Sequence, residues 1–241
     1  MCIEKQCLEL QQKYPYLLLR KKGEGYILSG TVFIENGDIK DQYEIEISIP
    51  NDYPKKIPTV KEIGAKIPKG FHHYSNETLC FETPFRVHQI FRQCETLLNF
   101  VDNLVVYYLF SYSYYAKHGK LPFGEHLHGA EGILEDYKKE FGVSEDSVAI
   151  RLLKILVEDN YRGHHICPCG SGKNIRDCHG QNILSIKTMK YNFINDFGLI
   201  LVWLKKTKNF NIVPFISKKV KKIIEKIKDY SNQNGVLKQG F

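Results

Sequence analysis

The sequence predicts an α+β protein: a four-stranded antiparallel meander flanked by helices, followed by a small cysteine-rich knuckle and C-terminal helices. Three observations lead there. Strand-like runs separated by hairpin turn residues crowd the first sixty positions, a long apolar helical stretch follows them, and three of the seven cysteines fall within twelve residues ahead of a lysine-rich amphipathic tail.

Ile3, Cys7, Leu8 and Leu10 recur at helical spacing, which predicts a short N-terminal helix. Three strands are expected at Tyr16–Lys22, Tyr26–Ile34 and Tyr43–Pro50, with GEG and ENGDIKD as the turns between them. The third run alternates Tyr43, Ile45, Ile47, Ile49 with Glu44, Glu46 and Ser48, so one face is buried and the other wet. After the proline-bearing loop NDYPKKIP, the fourth strand is expected within TVKEIGAKIP. No periodicity holds from Phe71 to His88, and so long an irregular segment in a compact domain is a functional candidate. A helix is expected from about Cys94 to Lys117, then a loop, KHGKLPFGEHLHGAEG. Ser144 is placed as the N-cap of a helix bearing Val148, Leu152, Ile155 and Leu156. The tail ends in a helix with Val220, Ile223, Ile224, Ile227 and Tyr230 on one face, expected to pack on the body. These readings divide the chain into residues 1–143, 144–184 and 185–241.

Composition narrows the classes. Hydrophobic residues at 43% and charged residues at 25% are globular values, which excludes a disordered or low-complexity chain. The net charge of +7 is uneven: from Ser185 onward twelve lysines face three acids, a balance of +9 that leaves −2 for the rest. All twelve of those cations are lysines without an arginine–aromatic pattern, so nucleic acid is not the partner this tail predicts. An odd number of clustered cysteines points to metal binding in a reducing, cytoplasmic setting and away from a disulfide framework. MCIEKQCLELQQKYP carries charges throughout and does not read as a signal peptide. Leu97–Tyr115 has the length of a bilayer span but contains Asn99, Asp102 and Asn103, so a buried core helix is expected and no membrane partner; GLILVWL at Gly198–Leu204 is too short to span.

Cys167 to His179 read CPCGSGKNIRDCH, that is C-x-C, eight residues, then C-H. Soft thiolates with one imidazole suit tetrahedral Zn²⁺, and a filled set of four protein ligands makes the ion structural. The stretch resembles the SEC-C motif, whose usual form is close to CPCGSGKKYKKCC or the same ending in CH. That resemblance assigns Cys167, Cys169, Cys178 and His179 as the ligands. His164 and His165, just before the stretch, read as ordinary loop residues, the alternative being that they support the ligands or are themselves ligands. SEC-C motifs occur as appendages on many unrelated proteins, so the motif does not itself name an activity.

The irregular stretch FHHYSNETLCFETPF, Phe71 to Phe85, holds a single cysteine among polar residues. Taken with the order helix, meander, YP…P loop, lone cysteine, helices, it resembles the ubiquitin-conjugating enzyme fold over roughly residues 1–115. Tyr53, Pro54 and Pro58 match that family's YPxxPP turn, with Ile57 in place of the first proline of the pair, and Leu79, Cys80 and Phe81 match its cysteine segment. The resemblance implies that Cys80 accepts a ubiquitin-like protein from an activating enzyme as a thioester and yields it to an amine on a protein target. The family's HPN triplet is absent. His72 stands at the usual offset, eight residues before Cys80, and His72, His73 or Asn76 is left to supply the asparagine's role. Bacterial relatives commonly depart from HPN in this way, and bacterial conjugation operons imply an antiphage setting. His126 and His128, in PFGEHLHG, are expected either to contribute near Cys80 or to staple their own loop, while Cys2, Cys7 and Cys94 read as helix or core residues. The alternatives are a non-catalytic adaptor of the same fold, whose zinc motif binds a protein or nucleic-acid partner, and a nucleic-acid-associated protein using the zinc module and lysine tail.

Overall fold

The computed structural model of the protein describes residues 2–124, 127–189 and 191–234, with side chains through residue 229. It is an α+β architecture in two compact units, one formed by Met1–Glu82 with Val87–Glu125 and the other by Thr83–Arg86 with His126–Phe241.

The first unit opens with helix α1 (Ile3–Lys13), which buries Gln6, Cys7 and Leu10. Leu8, expected on that face, is 64% exposed, because one residue beyond Cys7 is a 100° rotation away from it. Strands β1 (Leu17–Lys22), β2 (Gly25–Asn36), β3 (Ile39–Ile49) and β4 (Thr59–Glu62) form one antiparallel sheet in the order β1-β2-β3-β4. The register aligns Leu19 with Leu28, Leu28 with Ile47, and Ile47 with Val60. This places one apolar row across all four strands, and Leu28, Ile47 and Val60 in it are buried. Gly30 sits at φ +145°, and a Cβ there would lie 1.9 Å from the Tyr16 carbonyl oxygen, so β1 can cross β2 this closely only over a glycine.

Over the sheet lie α1, α3 (Leu97–Phe100), a π-helical turn (Val101–Val105) and α4 (Val106–His118). The expected helix from Cys94 thus begins three residues later: Thr96 is the N-cap, its hydroxyl accepting from the Asn99 N–H at 3.1 Å. Three polar ties fix these helices. Gln6 Oε1 accepts from the Leu97 N–H at 2.9 Å and the Tyr53 hydroxyl at 2.7 Å. Asp102 accepts from Tyr14 at 2.5 Å and Lys13 at 2.9 Å. Ser113 on α4 meets the Tyr43 hydroxyl at 2.6 Å and Asp41 at 3.0 Å. The YP loop therefore has a structural duty, tying Tyr53 to the first helix, and its Tyr53–Pro54 bond is cis.

Helix α2 (Pro84–Gln93) occupies a stretch read from sequence as irregular through His88. Pro84 begins it, and its buried positions Phe85, His88 and Phe91 recur every three residues. The polar residues among them dilute the signal.

The second unit is helical: α5 (Gly129–Phe141), α6 (Asp146–Val157), α7 (Gly180–Thr188), α8 (Phe193–Thr207) and α9 (Lys218–Asn234). The sequence reading includes residues 129–141 in its first segment, 1–143, whereas α5 packs on α6 and α8 in this unit through Ile133, Tyr137 and Phe141. The N-cap of α6 is Glu145 instead of Ser144: the Val148 and Ala149 N–H groups both turn to the Glu145 carbonyl at 3.1 Å. The tail helix packs on α8, with Val220 and Ile224 buried and Ile223 and Ile227 against Gly198; the Tyr230 side chain lies outside the described residues. Among the described residues, no helix is long and apolar enough to cross a membrane.

Candidate metal centre and cysteine loop

In the second unit, residues 163–167 and 173–176 form two short arms. The Cys167 N–H bonds the Lys173 carbonyl at 2.8 Å and the Ile175 N–H bonds the His165 carbonyl at 2.8 Å. Gly170 and Gly172, at φ +86° and +74°, make the reversal between them. The fold thereby brings one donor atom each from Cys167, Cys169, Cys178 and His179 within 4.8 Å of one another. His179 Nδ1 lies 3.2 Å from both Cys167 Sγ and Cys178 Sγ, and Cys169 Sγ lies 3.5 Å from Cys178 Sγ. A tetrahedral ion with thiolate bonds of about 2.3 Å spaces its donors roughly 3.6–3.8 Å apart, so small outward shifts complete the cage. The Ser171 hydroxyl, which also approaches Cys178 Sγ at 3.4 Å, holds the Cys169 thiol below its ordinary range, while burial pushes Cys167 up. Among the described residues this is the one such group that can hold a metal ion. His164 and His165 stay outside it and are exposed.

In the first unit, the segment carrying Cys80 is tied on two sides. The Leu79 N–H donates to Val60 of β4 at 2.8 Å, extending the sheet by one bond, and the Cys80 N–H donates to the His72 carbonyl at 2.8 Å. A tight turn separates them: Tyr74 N–H to Thr78 O at 2.8 Å, and Glu77 N–H to Tyr74 O at 2.9 Å. His72 and Glu77 adopt left-handed backbone, at φ +44° and +67°. Such positions cost of order 1 kcal/mol or more each and persist only where surroundings enforce them. From α4 the Tyr108 hydroxyl reaches the carbonyls of Phe71 at 2.9 Å and His72 at 3.3 Å. Lys69 grips Glu77 at 2.5 Å.

This geometry distributes the residues singled out from sequence. His72 contributes its backbone carbonyl to Cys80, and its ring packs edge-on to Phe71. His73 Nδ1 lies 2.7 Å from the Phe71 carbonyl. Asn76 Oδ1 accepts from the Thr78 N–H at 3.2 Å and its hydroxyl at 2.7 Å, holding the turn. His128 is exposed and stands at the N-cap position of α5 in the second unit, without a side-chain capping bond; Glu125 and His126 lie outside the described residues. Tyr74, which sequence reasoning missed, is the side chain that favours the Cys80 thiolate. No periodicity marks it, and only the turn carries its ring back to residue 80. Cys80 itself is half-buried, with its sulfur 3.9 Å from the Glu82 carbonyl. Burial raises its pKa above the ordinary thiol value, Tyr74 opposes the rise, and the Glu82 charge adds to it.

Comparison with protein-family models finds no match, and comparison with curated protein sequences finds none either.

Proposed function

We propose that the chain is a ubiquitin-conjugating-like enzyme that carries a ubiquitin-like protein as a thioester on Cys80 and passes it to a protein target, in a bacterial, antiphage conjugation system. The observation that carries this reading is the placement of Cys80. It lies in the segment after the four-stranded meander, on a shelf bonded to β4 through Leu79 and to His72 through its own N–H, and it is only partly buried.

In the first step the Cys80 thiolate attacks the thioester carbonyl that joins the ubiquitin-like C-terminus to the activating enzyme. A new C–S bond forms as the old one breaks, and the activating enzyme's thiol leaves. In the second step a target amine attacks the Cys80 thioester, the C–N bond forms, the amine loses its proton, and Cys80 departs as thiolate. Both steps pass through an oxyanion that needs a hydrogen-bond donor. Tyr74, whose hydroxyl favours the Cys80 thiolate, is our candidate for that donor. A raised thiol pKa fits a carrier: such a thiolate is the stronger nucleophile and the slower leaving group, so its thioester resists water until an amine is in place. In the knuckle we assign a structural Zn²⁺ to Cys167, Cys169, Cys178 and His179, since three thiolates and an imidazole fill a tetrahedral site.

The test is to incubate the chain with candidate ubiquitin-like proteins, their activating enzyme and ATP, then resolve the products on non-reducing gels. The reading expects a thiol-sensitive adduct that Cys80→Ser abolishes as a thioester. The same raised pKa favours a second reading, a non-catalytic adaptor in which Cys80 stays protonated. Absence of any adduct from folded chain with a cognate pair would decide for it.

A further inference from the structure

The connection between α8 and α9 carries a feature that neither the Cys80 loop nor the metal centre uses. Val213 is 74% exposed, and Pro214 and Ile216 are exposed beside it. The residues between them anchor the chain: Ile212 and Phe215 are buried in the second unit's core, and the Phe215 ring meets Phe210 at 5.7 Å. A single 3-10 turn, Val213–Phe215, thus holds an apolar tip in solvent on a fixed base.

The backbone donors of this tip are satisfied within the loop. The Val213 N–H donates to Asn211 Oδ1 at 3.1 Å, the Phe215 N–H to the Ile212 carbonyl at 2.9 Å, and the Ile216 N–H to the Val213 carbonyl at 3.2 Å. Pro214 has no N–H, and its carbonyl accepts from Lys154 of α6 at 2.7 Å. The tip can therefore enter a less polar medium without stranding an N–H group. Cations flank it along the chain itself. Residues 205–222 hold seven lysines and no acid, and all seven lysines are exposed. Lys205, Lys206 and Lys208 stand where α8 ends, and there the Lys208 and Phe210 N–H groups both return to the Leu204 carbonyl, at 3.0 and 3.2 Å. Lys208 is engaged with Asp146 at 2.7 Å. On the other side Ser217 caps α9, accepting from the Val220 N–H at 3.4 Å, so Lys218 and Lys219 open that helix directly after Ile216 and Ser217.

We propose that this tip docks on an anionic phospholipid surface, with Val213, Pro214 and Ile216 entering the headgroup layer and the lysines at both helix ends against the phosphates. Apolar side chains at the centre and cations at the rim match the acyl boundary and the charged headgroups of such a surface. An acidic polypeptide or a nucleic acid would engage the lysines but has no use for the uncovered valine between them, which is why the lipid is the better fit. The contact lies on the surface and needs no spanning segment; among the described residues no helix is long and apolar enough to be one. The inference is independent of Cys80.

The experiment sediments the full chain, purified with Zn²⁺, with vesicles of phosphatidylcholine alone and with vesicles that also hold about 30% phosphatidylserine. Binding is expected to the anionic vesicles and to weaken as salt rises. Lys218→Gln combined with Lys219→Gln is expected to weaken it about 25-fold, or about fivefold for each lysine. Val213→Ser is expected to weaken it about tenfold or more while leaving the salt dependence unchanged. All three positions are exposed, and melting curves check that the variants fold as the parent does. Three results would overturn the proposal: no sedimentation with the anionic vesicles at about 0.1 M salt, equal binding to the neutral vesicles, or undiminished binding by Val213→Ser, which would leave the lysines as a general anion surface.

Discussion

Cys80 and the Cys167–His179 group place the same element in opposite settings. In the knuckle, three sulfurs and a ring nitrogen converge within 4.8 Å, and the hydroxyl of Ser171 favours the thiolate at Cys169. In the first unit, one sulfur is held by backbone bonds against a sheet edge, and burial favours the protonated thiol. The difference is one of neighbours and not of cysteine itself. Donors that share one focus create a site for a cation, whereas a solitary, partly buried thiol with no second donor beside it favours its protonated form.

The largest expected effect breaks the knuckle side of this contrast. Cys178→Ser removes a soft donor, and structural zinc in small modules contributes about 10–16 kcal/mol near neutral pH. Bound metal should fall from one per chain to near zero after dialysis, with amide protection lost at the Cys167 and Ile175 N–H groups. A variant that keeps its metal and its protection would remove the assignment.

Next in size is a counterpart to Cys80 in the second unit. Asp196 is 2% exposed, accepts from the Tyr137 and Tyr191 hydroxyls at 2.9 Å each, and is raised from 3.8 to about 7 by burial, with the Asp136 charge adding to the rise. A carboxyl whose folded pKa is raised favours folding most below its unfolded pKa, and that contribution is lost as pH rises through the folded value. Stability should therefore fall by on the order of 4 kcal/mol between about pH 4 and pH 8. Asp196→Asn should flatten that dependence in calorimetric melts, and an unchanged slope would show that another group causes it.

Smaller effects sharpen the loop side. Tyr74→Phe deletes the hydroxyl that stabilises the Cys80 thiolate, so alkylation of Cys80 at pH 8 should slow about two- to tenfold, following the worth of one hydrogen bond. Equal rates would detach Tyr74 from the thiol. Tyr108→Phe leaves the ring in place but removes one donor from the Phe71 and His72 carbonyls, and should cost about 0.5–1.5 kcal/mol in urea unfolding.

Periodicity and spacing were enough to read much of this molecule. The alternation from Tyr43 to Ile49 specifies β3 because a pleated strand turns every second side chain to one face, and the structure buries Tyr43, Ile45, Ile47 and Ile49. The C-x-C and C-H spacing likewise marks a local cluster, since all four donors lie within thirteen residues of one another. Helix α2 escaped because only Phe85, His88 and Phe91 in it are buried, with Arg86, Gln89 and Arg92 among them. Tertiary structure alone decided which side chain favours the Cys80 thiolate, how Tyr108 braces its loop from α4, and that Asp159 pairs with Lys187 of α7. Those relations join residues up to 37 positions apart, as Phe71 and Tyr108 show, and depend on how packed elements place their side chains in space. A repeat of two or 3.6 residues reports which face of an element is buried. It carries no record of what stands opposite that face.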